Sequence, residues 1–192
     1  SQFQLDPEDY TMIKYRDRLC WIAPIEYRGF FQWTSKPASP GYVLISATDQ
    51  SDVQIIRDEL SYVESAYLWD DLQRKIYFSN MFRYREGKAH LELDENGHPY
   101  FVEGVLTRRY IFSGGLDNAG VIVTDAKTGD SKFYGRDEIP DWVDRAQPAT
   151  LVTEQLGWWG RYVNGFFNSI FSKRDVLDVS TGVNYVYSNG DM

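Results

Sequence analysis

Cysteine, histidine and excess positive charge are all scarce in this sequence, and each scarcity removes a class of function. There is one cysteine in 192 residues, so no disulfide forms within the chain. Cys20 lies in the apolar run Leu19-Cys20-Trp21-Ile22 and reads as a small buried hydrophobe with no histidine partner to activate it. The two histidines, His90 and His98, flank a turn without any accompanying cysteine or histidine at zinc spacing, and they read as surface residues. The formal net charge is -8, with no basic stripe, which excludes a nucleic-acid backbone as partner. No apolar run reaches the roughly eighteen residues that a membrane-spanning helix needs. A Gly-x-Ser-x-Gly elbow is absent, and Ser113-Gly114-Gly115 lacks the lysine and the strand–loop–helix setting of a phosphate loop. No cofactor is expected.

What the chain has in quantity is aromatic residues, 16% of the total. They are spread along the chain, and the stretch around which the rest is organised is residues 120–171. Val121, Ile122 and Val123 are β-branched and run from Gly120 into Asp125-Ala126-Lys127-Thr128-Gly129. This predicts a hairpin with Gly129 at a positive φ and Phe133-Tyr134 on the return strand. Ile139-Pro140-Asp141 breaks the pattern, because the residue before proline is pushed out of the helical region. Val152, Leu156, Trp159, Val163, Phe166 or Phe167, and Ile170 then recur at three and four, one face of a long helix. Pro148 suits its first turn, and Trp158 and Tyr162 widen its apolar arc. Three glycines within it imply a close-packed neighbour, expected to be a sheet.

Elsewhere, residues 1–18 carry little pattern. Trp21, Ile22, Ala23, Tyr27, Phe30, Phe31 and Trp33 read as strand, and Tyr42-Val43-Leu44-Ile45 as a buried strand. Ser51-x-x-Gln54 predicts a capped helix through Val53, Ile56, Leu60 and Val63, followed by a second helix over 65–78. A polar connector at 84–88, alternating Leu91 and Leu93, and a long strand over 100–110 come next. Shifting the chain by 79 residues lays Gly41 on Gly120, Ala47 on Ala126 and Arg57-Asp58-Glu59 on Arg136-Asp137-Glu138. The reading is one α+β domain over 1–192, mainly antiparallel, with two helices in the first half and the aromatic helix near the C-terminus. A two-fold internal repeat, 20–87 and 88–172, fits within it. Residues 185–192 look like a strand entering a hairpin whose partner is missing, as expected of a piece of a longer protein.

Three constellations could carry chemistry. Glu92, Asp94, Asn96, Gly97 and Glu103 occupy positions of a calcium loop, although Pro99 and the flanking strands fit an Asn-Gly hairpin better. Asp137, Glu138, Asp141 and Asp144 form an acidic corner with Arg136 and Arg145 at hand to pair with them. A structural role predicts a lowered carboxyl pKa there, and a catalytic acid a raised one. The tryptophans and tyrosines could stack on sugars or fill an aromatic core. Asp141, Trp142, Asp144, Trp158 and Tyr162 are the candidate binding residues.

The Gly-Val-Ile-Val-Thr-Asp-Ala-x-Thr-Gly hairpin resembles that of PepSY-type domains, which are extracytoplasmic inhibitory or interaction modules. Pro40-Gly41-Tyr42-Val43, Glu92-x-Asp94-Glu95-x-Gly97-x-Pro99-Tyr100, Ile139-Pro140-Asp141-Trp142-Val143-Asp144-Arg145-x-x-Pro148 and Trp159-Gly160-x-Tyr162-x-x-Gly165-x-x-Asn168 resemble a second group. This is an uncharacterised family of bacterial membrane-associated proteins, in which a soluble part follows membrane-spanning segments. The resemblance implies a non-catalytic domain on the extracytoplasmic side, held to the membrane by segments outside this chain and binding a protein or envelope component. The alternative is a glycan-binding or glycan-cleaving domain using aromatic platforms and the Asp141/Asp144 corner.

Overall fold

The computed structural model describes residues 3–36, 38–49, 51–108 and 116–144. In chain order the strands are β1 (Phe3–Gln4), β2 (Thr11–Tyr15), β3 (Arg18–Pro24), β4 (Glu26–Tyr27), β5 (Tyr42–Ser46), β6 (Val53–Ile56), β7 (Tyr84–Arg85), β8 (His90–Leu93), β9 (Pro99–Arg108), β10 (Leu116–Asp125) and β11 (Ser131–Gly135). Helix α1 (Phe30–Ser35) lies between β4 and β5, and α2 (Leu72–Ser79) between β6 and β7. The fold is α+β with every strand ladder antiparallel. The predicted helix over 149–171, with Trp158 and Tyr162, lies outside the described residues.

One sheet runs β2-β3-β5-β6. A second runs β11-β10-β9, with β8 and β7 both paired to β9. The strand sets β2-β3-β5-β6 and β8-β9-β10-β11 share some local hydrogen bonds. Ser46 N–H donates to Asp52 O at 3.0 Å, as Asp125 N–H does to Asp130 O at 2.9 Å. Ala47 N–H reaches back to Leu19 O, as Ala126 N–H reaches Pro99 O. Gly41 and Gly120, with φ of 137° and 144°, each stand where a Cβ would strike a hairpin-partner carbonyl, Ile56 O in one case and Tyr134 O in the other. The first meander starts at Thr11, within the stretch that showed no sequence pattern.

The inner face of the first sheet carries Ile13, Ile22, Tyr42 and Leu44. It shares one buried cluster with Leu91, Phe101 and Ile122 of the second sheet, with Leu60 and Val63, and with Leu72 and Ile76 of α2. The far face of the second sheet, Val102, Val121 and Val123, is covered by Ile139, Trp142 and Val143.

Several sequence expectations give way here. Residues 53–56 form a strand, because β-branched Val53 and Ile55 alternate with Gln54 at a period of two. Ser51 is no helix cap: its N–H and Oγ both donate to Asp49 Oδ1. The second helix begins only at Leu72, where the Asp71 carboxylate accepts from Arg74 N–H at 2.7 Å. Phe30, Phe31 and Trp33 are helical, not extended. Gly129 has the expected positive φ, 74°.

Candidate interaction surface and acidic cleft

The acidic corner meets the β8–β9 turn. Asp141, Trp142 and Asp144 line a shallow cleft of about 520 Å³ together with Lys14, Tyr15, Arg16, Asp94 and Glu95. The carboxylate of Asp144 accepts the Lys14 backbone N–H, closing the free edge of β2. Asp144 N–H donates to Glu92 Oε2 at 2.8 Å. Trp142 lies tilted over the Tyr100 ring, with centroids 5.1 Å apart. Asp144 thus ties β2 through its carboxylate and β8 through its backbone N–H, a structural use of one residue of the corner.

The residues of the calcium-loop pattern diverge. Asp94 Oδ1 accepts from Asn96 N–H and His98 N–H, an Asx turn that closes the hairpin. Glu92 points to Asp144, while Glu103 is on the opposite face of the sheet, bonded to Arg85 Nη1 at 2.7 Å and to Gly87 N–H at 2.8 Å. Among the described residues, no three His, Cys, Asp or Glu side chains are arranged to hold a metal. His90 is not a surface residue. It is buried, with Nδ1 at 3.3 Å from Thr11 Oγ1. His98 Nε2 meets Asp125 Oδ2 at 2.8 Å. Burial raises the Asp125 carboxyl, but donors from Thr128, Lys127 and His98 outweigh it and hold the group below the usual carboxylate range.

Comparison with protein-family models, with curated proteins and with solved structures finds no match. The chemistry of the chain must therefore be read from its own side chains.

Two such features escaped the sequence reading. The first is a run of buried glutamates whose letters look like solvent-facing positions. Glu26 is buried beside Glu64, Asp9 and Asp6; burial drives its carboxyl up to about 8, while the Ser65 N–H at 2.9 Å pulls the other way. The folded chain thus holds a proton that the unfolded chain releases near pH 4.5. Stability is expected to fall as pH rises from the unfolded value through about 8, then to level off. Each pKa unit is worth about 1.4 kcal/mol. Glu26→Gln keeps the acceptor and removes the titration; urea midpoints at pH 5 and pH 8.5 should then differ much less than in the parent.

The second feature is a bare aromatic platform. Phe30 packs edge-on to Tyr67 with centroids 5.3 Å apart, and Trp33 lies 5.6 Å from Phe30 and 5.8 Å from Tyr67. Trp33 Nε1–H donates to Asp70 Oδ2 at 3.1 Å, which fixes the loop to α1. Beside these, Phe31 is 79% exposed and Trp69 81% exposed. Between Tyr67 and Trp69, Leu68 sits at a φ of 56°, a left-handed conformation that costs a leucine about 1–2 kcal/mol. The signal was present as Phe30-Phe31 and Tyr67-Leu68-Trp69, since adjacent large apolar residues cannot all face inward from one helix or strand.

Proposed function

We propose that this chain is a non-catalytic interaction domain built from two copies of one meander unit, serving as a binding or scaffold module of a membrane-anchored bacterial envelope protein. The platform of Phe30, Phe31, Trp33, Tyr67 and Trp69 carries the reading. Clustered aromatics with exposed rings such as Phe31 and Trp69 are the usual anchors of protein interfaces, where large rings bury much area at little entropic cost. The acidic corner favours the same reading, because the Asp144 carboxylate accepts the Lys14 backbone N–H. The envelope location draws on the family resemblance alone. The matched glycines and hairpin bonds support the duplication.

A photo-crosslinking residue at Trp69, in the full-length protein in its own cells, should give a discrete protein adduct that the same residue at Asp130 does not. Phe31→Ser with Trp69→Ser should abolish the adduct formed from a crosslinker at Leu68 and leave the melting temperature within a few degrees, since neither ring is buried. Equal labelling from Trp69 and Asp130 would sink the reading; labelling of glycan instead of protein would favour the sugar-binding alternative.

A further inference from the structure

The chain carries a net charge of -8, yet one stretch runs against it. Residues 72–85, from the start of α2 to the end of β7, hold Arg74, Lys75, Arg83 and Arg85 and no aspartate or glutamate. The same stretch bears Tyr77, Phe78, Met81, Phe82 and Tyr84, all exposed, with Phe78 at 62% and Phe82 at 99%. One apolar side chain at a surface is ordinary; a group of them is not.

The fold holds this group outward. Helix α2 buries Leu72 and Ile76, and at about 100° per residue this turns Arg74, Tyr77 and Phe78 to the opposite side. The Tyr77 and Phe78 rings meet edge-on with centroids 5.7 Å apart. The helix ends at Asn80, whose Nδ2 donates to Ile76 O at 3.3 Å. A turn closed by Arg83 N–H to Asn80 O, at 3.0 Å, then places Met81 and Phe82 at its two central positions. The Arg83 guanidinium lies 3.5 Å from the centre of the Phe133 ring, which pins the end of the turn to β11.

Charge and shape together select the partner. Arg85 is taken up by Glu103, but none of Arg74, Lys75 and Arg83 is ion-paired with a described residue. Asp70 and Asp71 stand at the other end of α2, about 12 Å away along its axis. That exceeds the Debye length of about 8 Å at physiological salt, so the local cations govern the field at the tip. A ring projecting bare from a turn needs a medium that closes around it from every side, which the fluid interface of a bilayer does. Tyrosines suit the same boundary, with the ring in the apolar layer and the hydroxyl among the headgroups.

We propose that the tip formed by the outward side of α2 and the turn over 80–83 docks on an anionic lipid surface. Phe78, Met81 and Phe82 enter the interfacial layer, and Arg74, Lys75 and Arg83 meet lipid phosphates. No described helix is long and apolar enough to cross a bilayer, and this contact needs only the surface of one leaflet. It is separate from the platform of Phe31 and Trp69, where Asp70 bonds to Trp33, so either assignment can fail alone.

Sedimentation of the chain with sucrose-loaded vesicles tests it. Phosphatidylcholine vesicles containing about 30% phosphatidylglycerol should bind the chain at least about tenfold better than phosphatidylcholine alone. Phe78→Ser with Phe82→Ser should lose at least about tenfold in binding and keep a urea midpoint close to the parent's, since neither ring is buried. Arg74→Gln with Lys75→Gln should weaken binding by a similar factor and flatten its salt dependence. The helix cap survives that change, because it uses the Arg74 backbone N–H. Phe31→Ser with Trp69→Ser should bind vesicles as the parent does. Binding to no vesicle overturns the proposal, as does equal binding to neutral and anionic vesicles. So does a loss that follows the Phe31/Trp69 pair and spares the Phe78/Phe82 pair. A photo-crosslinker at Phe82 that captures one discrete protein in cells, with vesicles ignored, would give the tip to an acidic protein instead.

Discussion

Gly120→Ala is expected to lower stability by about 3–5 kcal/mol, at the upper end of what one methyl can do. Two causes act together. Gly120 has a φ of 144°, which an L-residue rarely adopts, and an added Cβ would enter the Tyr134 carbonyl oxygen across the β10–β11 ladder. The atoms it would meet, Tyr134 O and C and Gly135 Cα, are all backbone, which leaves no side chain to move aside. Gly41→Ala meets the same two obstacles, with Ile56 O as the blocking atom, so the two losses should be alike in size. Chemical denaturation of both variants measures this directly. A mild effect at one position and a severe one at the other would break the correspondence between the meanders.

Arg85→Ala should cost a similar amount, about 3–5 kcal/mol, for an electrostatic reason. Glu103 is wholly buried on the core face of β9, and its charge is met by Arg85 Nη1 and the Gly87 N–H. Burial raises its carboxyl pKa, and Arg85 is the chief influence opposing that rise. Removing the guanidinium strands a carboxylate in the core, and it also frees Gln73 Oε1, which Arg85 holds at 3.1 Å. The double change Arg85→Met with Glu103→Leu should recover much of the loss, because two apolar groups of similar volume need no partner. If the single and double variants prove equally unstable by urea denaturation, packing and not charge holds this corner.

The hairpin over 120–135 was legible because its determinants are local: β-branched residues, an Asp-x-x-Thr-Gly turn and a glycine that needs positive φ. The same holds for Tyr42-Val43-Leu44-Ile45 and for the long strand β9. What misled was periodicity in short segments. Val53, Ile56, Leu60 and Val63 satisfy a helical spacing, yet Leu60 and Val63 are buried from an irregular segment held by isolated bridges to Ser39 and Asp71. Glu92 and Glu103 alternate with apolar neighbours as solvent-facing residues do, yet both are fully buried. Their partners, the Asp144 N–H and Arg85, arrive from 52 residues ahead and 18 behind, and no local window contains them. The acidic corner was visible in the letters, whereas its function as a clasp on Lys14, 130 residues away, was not.

The cluster that joins Ile13 and Ile22 to Leu91 and Phe101 through Leu72 and Ile76 has a consequence for the integrity of the chain. The larger hydrophobic interior is shared between the two sheets, each supplying part of it, and only the smaller cluster around Val102, Val121 and Val123 belongs to the second sheet alone. Separated at the connection before β8, both halves would bare a broad apolar wall, and each would be insoluble before it was unstable. The intact chain should therefore melt in one cooperative step, with damage to either sheet felt by both.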